Sequence, residues 1–252
     1  MRHERGRVTA FEYSLEALPQ KTLGLVVLQS DETIEQDFRH VMPRDVALHV
    51  TRVPSGLEVS QDSLQAMEHA LPAAAALLPR GLAFDAVGYG CTSGTAQIGA
   101  ARIAELTRQG VETVHVTEPV SALIAACRHL GVTRLAMLSP YVAEVSARLR
   151  DVLQDAGIAT PVFGSFEEAE EQKVVRIDAA SVQRAACELA RQGGVDGLFL
   201  SCTNLRTFPS IAPLEAATGL PVLSSNQVLI WHMLRQVGAS LDAAGPGKLL
   251  HI

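Results

Sequence analysis

A chain of 252 residues with 48% hydrophobic and 19% charged residues can bury a substantial core and is not compositionally disordered. A net charge of −6 leaves no basic stripe for phosphate backbones, and 4% aromatic content supplies no stacking platform, so nucleic acid is excluded as the main partner. No apolar run approaches the ~18 residues of a membrane span, and the basic opening residues lack the apolar stretch of a signal peptide; the expected setting is the cytoplasm, away from membranes.

Apolar runs of strand character alternate with helical patterns along the chain. Strand Leu23–Leu28 is followed by helix Glu32–Val41, strand Val46–Val53 by helix Ser63–Leu78, strand Phe84–Tyr89 by helix Ala96–Arg108, and strand Thr113–Val116 by helix Val120–Leu130. The same order resumes with strand Arg134–Leu138, helix Val142–Ala156, strand Ile158–Phe163 and helix Ala179–Arg191. Strand Gly197–Leu200, helix Ile211–Thr218, strand Pro221–Leu223 and helix Gln227–Gln236 complete it. Such alternation predicts parallel strands covered by helices, an α/β fold.

The halves read as copies. Ser30 corresponds to Ser139 at an offset of 109, Cys91 to Cys202 at 111, and Glu118 to Asn226 at 108. The expectation is two similar doubly wound parallel-sheet domains related by a pseudo-twofold: residues 1–118 plus 226–252, and residues 119–225. Open α/β sheets bind ligands at the carboxyl ends of their strands, so the active site is expected in the cleft between the domains. The first 21 residues lie outside the repeat and read either as an arm onto a partner subunit or as a loose segment.

Gly88-Tyr89-Gly90-Cys91-Thr92-Ser93-Gly94-Thr95 and Phe199-Leu200-Ser201-Cys202-Thr203-Asn204-Leu205-Arg206-Thr207 each put a cysteine and a threonine at the end of a strand. A cysteine at a strand-to-helix turn lies near free backbone N–H groups and a positive helix end, which favour thiolate. Cys91 and Cys202 are therefore the candidate catalytic pair. The two other cysteines, Cys127 and Cys187, lie in Ala-rich helical stretches and read as core filler. No cysteine or histidine spacing matches a metal site, so no metal and no cofactor is expected.

Candidate substrate contacts are Ser30 and Asp31 after the first strand, Thr92 and Ser93 after Cys91, Tyr141 in Ser139-Pro140-Tyr141, and Thr203 and Asn204 after Cys202. Ser30 and Asp31 read equally as a helix cap. Arg206 reads as a carboxylate clamp or a surface residue, and Glu118 and Asn226 as caps or site residues. The run Glu167-Glu168-Ala169-Glu170-Glu171 reads as a solvated acidic face.

The Cys-Thr-Ser and Cys-Thr-Asn turns, Ser139-Pro140-Tyr141 and Ser224-Ser225-Asn226 together resemble the aspartate/glutamate racemase superfamily, in its maleate isomerase and arylmalonate decarboxylase branch. Leu28-Gln29-Ser30-Asp31-Glu32-Thr33 and Ser224-Ser225-Asn226-Gln227 look most like the ectoine-utilisation member of that branch. The resemblance spans residues 22–238 and implies a cofactor-free enzyme with one cysteine from each half flanking a small carboxylate. It implies that the cysteine at Cys91 attacks an alkene or moves a proton, that Cys202 donates a proton, and that Tyr141 holds substrate. The decarboxylases keep only the second cysteine, so Cys91 argues against that reaction. Isomerases of the branch carry asparagine where Asp31 stands; Asp31 there implies a substrate bearing an ammonium group, or a protonated Asp31.

The expected activity is isomerisation or racemisation of a small carboxylate or amino-acid derivative, within ectoine breakdown. Maleate-to-fumarate isomerisation with Cys91 as nucleophile is the alternative, and a non-catalytic small-acid binding protein is the third reading. The expected partners are that small molecule and further copies of the chain, as a homo-oligomer.

Overall fold

The computed structural model describes residues 9–17, 21–240 and 245–251. Of the opening segment expected to be an arm or a loose stretch, residues 1–8 and 18–20 lie outside the described residues. Residues 9–17 carry no regular secondary structure and leave Phe11, Tyr13 and Leu15 exposed.

The first half comprises β1 (Lys21–Leu28), α1 (Ile34–Val41), β2 (Val46–Val53), α2 (Gln61–Ala75), β3 (Phe84–Gly90), α3 (Thr92–Ile98), α4 (Ala100–Gly110) and β4 (Thr113–Thr117). The second comprises α5 (Pro119–Leu130), β5 (Arg134–Ser139), α6 (Ala143–Asp155), β6 (Ala159–Ser165), α7 (Glu171–Val174), α8 (Ala179–Arg191), β7 (Gly197–Leu200), α9 (Phe208–Thr218) and β8 (Val222–Ser224). Helix α10 (Ser225–Gln236) and a 3₁₀ turn at Lys248–His251 follow.

All pairings between these strands are parallel. The first sheet runs β2-β1-β3-β4 and the second β6-β5-β7-β8, so the second repeats the first strand for strand. The inner strands are apolar on both faces, as burial between two helix layers requires. Along β1, Val26 and Leu28 face a cluster that includes α2 and α4, while Leu23, Leu25 and Val27 face one that includes α1, α5 and α10. Each cluster continues into the second sheet, through Leu138 and Leu200 on one side and Met137 and Phe199 on the other. After β8 the chain returns to the first half, where α10 packs on β3, β4 and α1, and also on α5.

Local chemistry marks the helix ends. Ser60 and Ser63 form a capping box at α2, as do Ser224 and Gln227 at α10. Glu118 caps α5 ahead of Pro119, accepting from Val120 N at 2.7 Å. The stretch expected as one helix over Ala96–Arg108 is two, because Gly99 adopts φ +95°, a conformation that L side chains rarely reach. The short helix α7 begins at Glu171, the last residue of the run that reads as a solvated acidic face.

Candidate active site

Strands β3 and β7 end side by side at the junction of the halves, and each delivers its cysteine there. Cys91 is the N-cap of α3, and its Sγ accepts the Gly94 N–H at 3.2 Å. Cys202 is followed by an irregular loop, since α9 begins only at Phe208. Its backbone takes φ +107°, and its Sγ accepts the Asn204 N–H at 3.3 Å. Both sulfurs line the same cleft, with Thr92, Ser93, Tyr141 and Thr203.

One hydroxyl ties the two cysteine loops together. The fully buried Ser225 Oγ accepts the Cys202 N–H at 2.9 Å and the Thr92 O–H at 2.8 Å. Thr203 Oγ1 crosses the junction to donate to Gly90 O at 3.2 Å. Beside the cleft, which Glu58 lines, Glu58 and Glu170 form an antiparallel bridge. It is held by Val59 N donating to Ala169 O and Glu171 N donating to Leu57 O, both at 3.0 Å.

That bridge carries Glu171 into the cleft wall, 2% exposed. The Tyr141 hydroxyl donates to Glu171 Oε1 at 2.8 Å and lies 2.9 Å from Cys202 Sγ. Asn204 Nδ2 donates to Glu171 Oε2 at 2.7 Å, and Asn204 Oδ1 accepts Glu32 N at 2.9 Å. Glu171 belongs to the acidic run expected in solvent, and its burial corrects that expectation. The cleft also includes Ser55 and Glu58, which the sequence reading did not single out.

The remaining candidates take supporting places. Asp31 is buried but is not among the residues lining the cleft. Its Oδ1 accepts the N–H groups of Thr33 and Ile34 at 2.8 Å, while Oδ2 has no hydrogen-bond partner. Ser30 bonds Ser55, its Oγ 3.1 Å from that of Ser55, and stays off the cleft wall. Asn204 also stands off the wall and reaches it through Glu171. Arg206 is exposed and does not line the cleft, so it is no clamp in this arrangement. Asn226 binds Asp37 Oδ2 at 2.7 Å and Thr203 O at 2.8 Å, bracing the Cys202 loop from behind.

Burial controls the electrostatics. It pushes the Cys91 thiol up to about 12, against the opposing Gly94 N–H. It pushes the Cys202 thiol well above the usual thiol range, with Glu171 adding repulsion. The expectation that turn and helix end favour thiolate is therefore outweighed here by desolvation. The carboxyl of Glu171 is also raised by burial, and the bonds from Asn204 and Tyr141 oppose this. No cluster of three or more His, Cys, Asp or Glu side chains among the described residues could hold a metal ion. No described helix is long and apolar enough to cross a membrane.

The arylmalonate decarboxylase family profile matches residues 58–250. A maleate isomerase of Nocardia farcinica is 26% identical over 242 residues, covering 91% of this chain and 95% of that protein. Among solved structures, the maleate isomerase Iso from Pseudomonas putida S16 superimposes with a TM-score of 0.81 at 23% identity, over 91% of this chain and 98% of that one. A mutant of the Nocardia farcinica maleate cis-trans isomerase with a covalently bound succinylcysteine intermediate gives 0.77 at 22% identity, over 91% and 98% of the two chains.

Proposed function

This chain belongs to the arylmalonate decarboxylase family, and we propose that within it the protein is a cofactor-independent isomerase or racemase that moves a proton at carbon in a small carboxylate. The observation that carries this reading is the shared cleft: two thiols, one from each copy of the fold, line a single space. Two proton-handling groups on opposite sides of one substrate can remove a proton from one face and return it to the other.

The hydrogen bonds divide the labour. Tyr141 gives its proton to Glu171, so its oxygen faces Cys202 as an acceptor and Cys202 keeps its S–H. Cys202 is then the acid. Cys91 receives the Gly94 N–H and the Tyr89 hydroxyl, which favour its thiolate against the burial that pushes this thiol up. A thiolate freed of water is a strong base, matched to a weakly acidic C–H bond. Cys91 takes the proton α to the carboxylate, the electron pair passes into the carboxylate as an enolate, and Cys202 delivers its proton to the other face. The pair ends with the proton moved from one sulfur to the other and titrates as one unit.

The same geometry serves maleate. Cys91 Sγ adds to one alkene carbon, Cys202 protonates the other, and the new single bond rotates. Cys202 then takes its proton back as the C–S bond breaks. The succinylcysteine intermediate held by the Nocardia farcinica relative favours this second reading. Resemblance to the ectoine-utilisation member favours an amino-acid derivative. The domain division at 118/119 and 225/226, a cytoplasmic setting suited to four free thiols, and a homo-oligomer complete the proposal.

Incubation in deuterated water tests it. The wild-type protein with its substrate washes deuterium into the α-carbon, and Cys91→Ala and Cys202→Ser each abolish this. With maleate, intact mass spectrometry finds a succinyl adduct on Cys91 in the Cys202→Ser protein. Turnover that survives loss of either thiol refutes the two-thiol mechanism.

A further inference from the structure

Resting on that reading, we infer that the substrate carries a cationic nitrogen where it meets Glu171, so that the cleft selects a zwitterion over a dicarboxylate of equal length. Glu171 is the buried carboxyl in the cleft wall, and Glu58 is a second carboxyl at its exposed edge. No lysine, arginine or histidine is among the described residues lining the cleft. A buried carboxylate needs a positive partner, and the protein gives Glu171 none. Lys173, two residues further on, pairs with Glu168 and Glu170. Arg52 pairs with Glu35 and donates to the main-chain oxygens of Leu28 and Asp31.

The neutral groups around Glu171 are nonetheless arranged for an ionised carboxylate. Tyr141 and Asn204 both donate to it, one to each oxygen. Donated hydrogen bonds favour the charged form. Each carboxylate oxygen accepts two bonds, so one acceptor site per oxygen stays open for a ligand donor. Asp31 is a second buried acid whose charge opposes that of Glu171, a repulsion that a cation relieves. An ammonium or amidinium group meets these conditions, and a second carboxylate opposes all of them. Glu171 is thus a specificity-determining residue.

A pair of chain-matched probes tests this without turnover. Calorimetric titration of the wild-type protein compares 4-aminobutyrate with succinate, which differ in one terminal group. The expected result is binding of 4-aminobutyrate about tenfold or more tighter than succinate, with the ratio falling by about tenfold in Glu171→Gln. Equal or tighter binding of succinate by the wild type overturns the inference. So does failure of 4-aminobutyrate to bind, or an unchanged ratio in Glu171→Gln. The wild-type comparison decides even if the variant does not fold. Loss of deuterium wash-in with the preference intact would sink the isomerase reading alone; wash-in together with succinate preference would sink this one alone.

Discussion

Replacing Ser225 by alanine removes one oxygen atom and leaves two buried donors without an acceptor, the Cys202 N–H and the Thr92 O–H. Each orphaned donor costs about 1–3 kcal/mol. Rotation of the Thr92 hydroxyl recovers part of this, so the expected loss is about 2–5 kcal/mol, or roughly 5–15 °C in melting temperature for a chain of this size. The loss has a second effect. Cys202 holds φ +107°, and its N–H bond to Ser225 is one of the restraints on that conformation. Without it the backbone relaxes toward negative φ and Sγ turns from the cleft. Melting curves and denaturant midpoints measure the first effect, and deuterium wash-in measures the second. A melting shift under about 2 °C with full exchange activity would refute the reasoning, since it would mean that both donors find other partners at little cost.

Three further outcomes follow from named contacts. Cys202→Gly relieves the positive φ and gains about 1 kcal/mol in denaturant stability while abolishing turnover. Gly94→Ala puts a Cβ 2.9 Å from Cys91 Sγ and 2.8 Å from Tyr89 Oη, so stability falls by about 1–3 kcal/mol and iodoacetamide labelling of Cys91 changes rate. The carboxyl of Asp37 is pushed up to about 7 by burial, so the folded state favours its protonated form. The stability it contributes is complete below pH 3.8 and is lost as pH rises to about 7. Asp37→Asn therefore gains roughly 4 kcal/mol above pH 7 and nothing below pH 3.8, read from denaturation curves across that range.

Much of the architecture was legible because it is written twice. Offsets near 110 residues recur at three strand ends, and a parallel α/β sheet can present such ends only along one edge. That reasoning located Cys91, Cys202, Thr92, Ser93, Tyr141 and Thr203 on one cleft. Glu171 escaped it because its neighbours Glu167, Glu168 and Glu170 have the composition of a wet surface. Its burial comes from contacts distant in sequence, the backbone of Leu57 and the amide of Asn204. For Arg206 the sequence left clamp and surface both open: Leu205 is buried and Arg206 turns outward, an alternation that an irregular loop does not reveal in its sequence. Gly99 shows a third limit, since a lone glycine inside a helical pattern reads as tolerated until its φ is seen.

Of the two main-chain hydrogen bonds that join Leu57 and Val59 to Ala169 and Glu171, one uses the amide of Glu171 itself. The carboxyl that receives Tyr141 and Asn204 is thus anchored through its own backbone to a segment of the other half. A change in the stretch before α2 therefore reaches the Cys202 side of the cleft through this one residue.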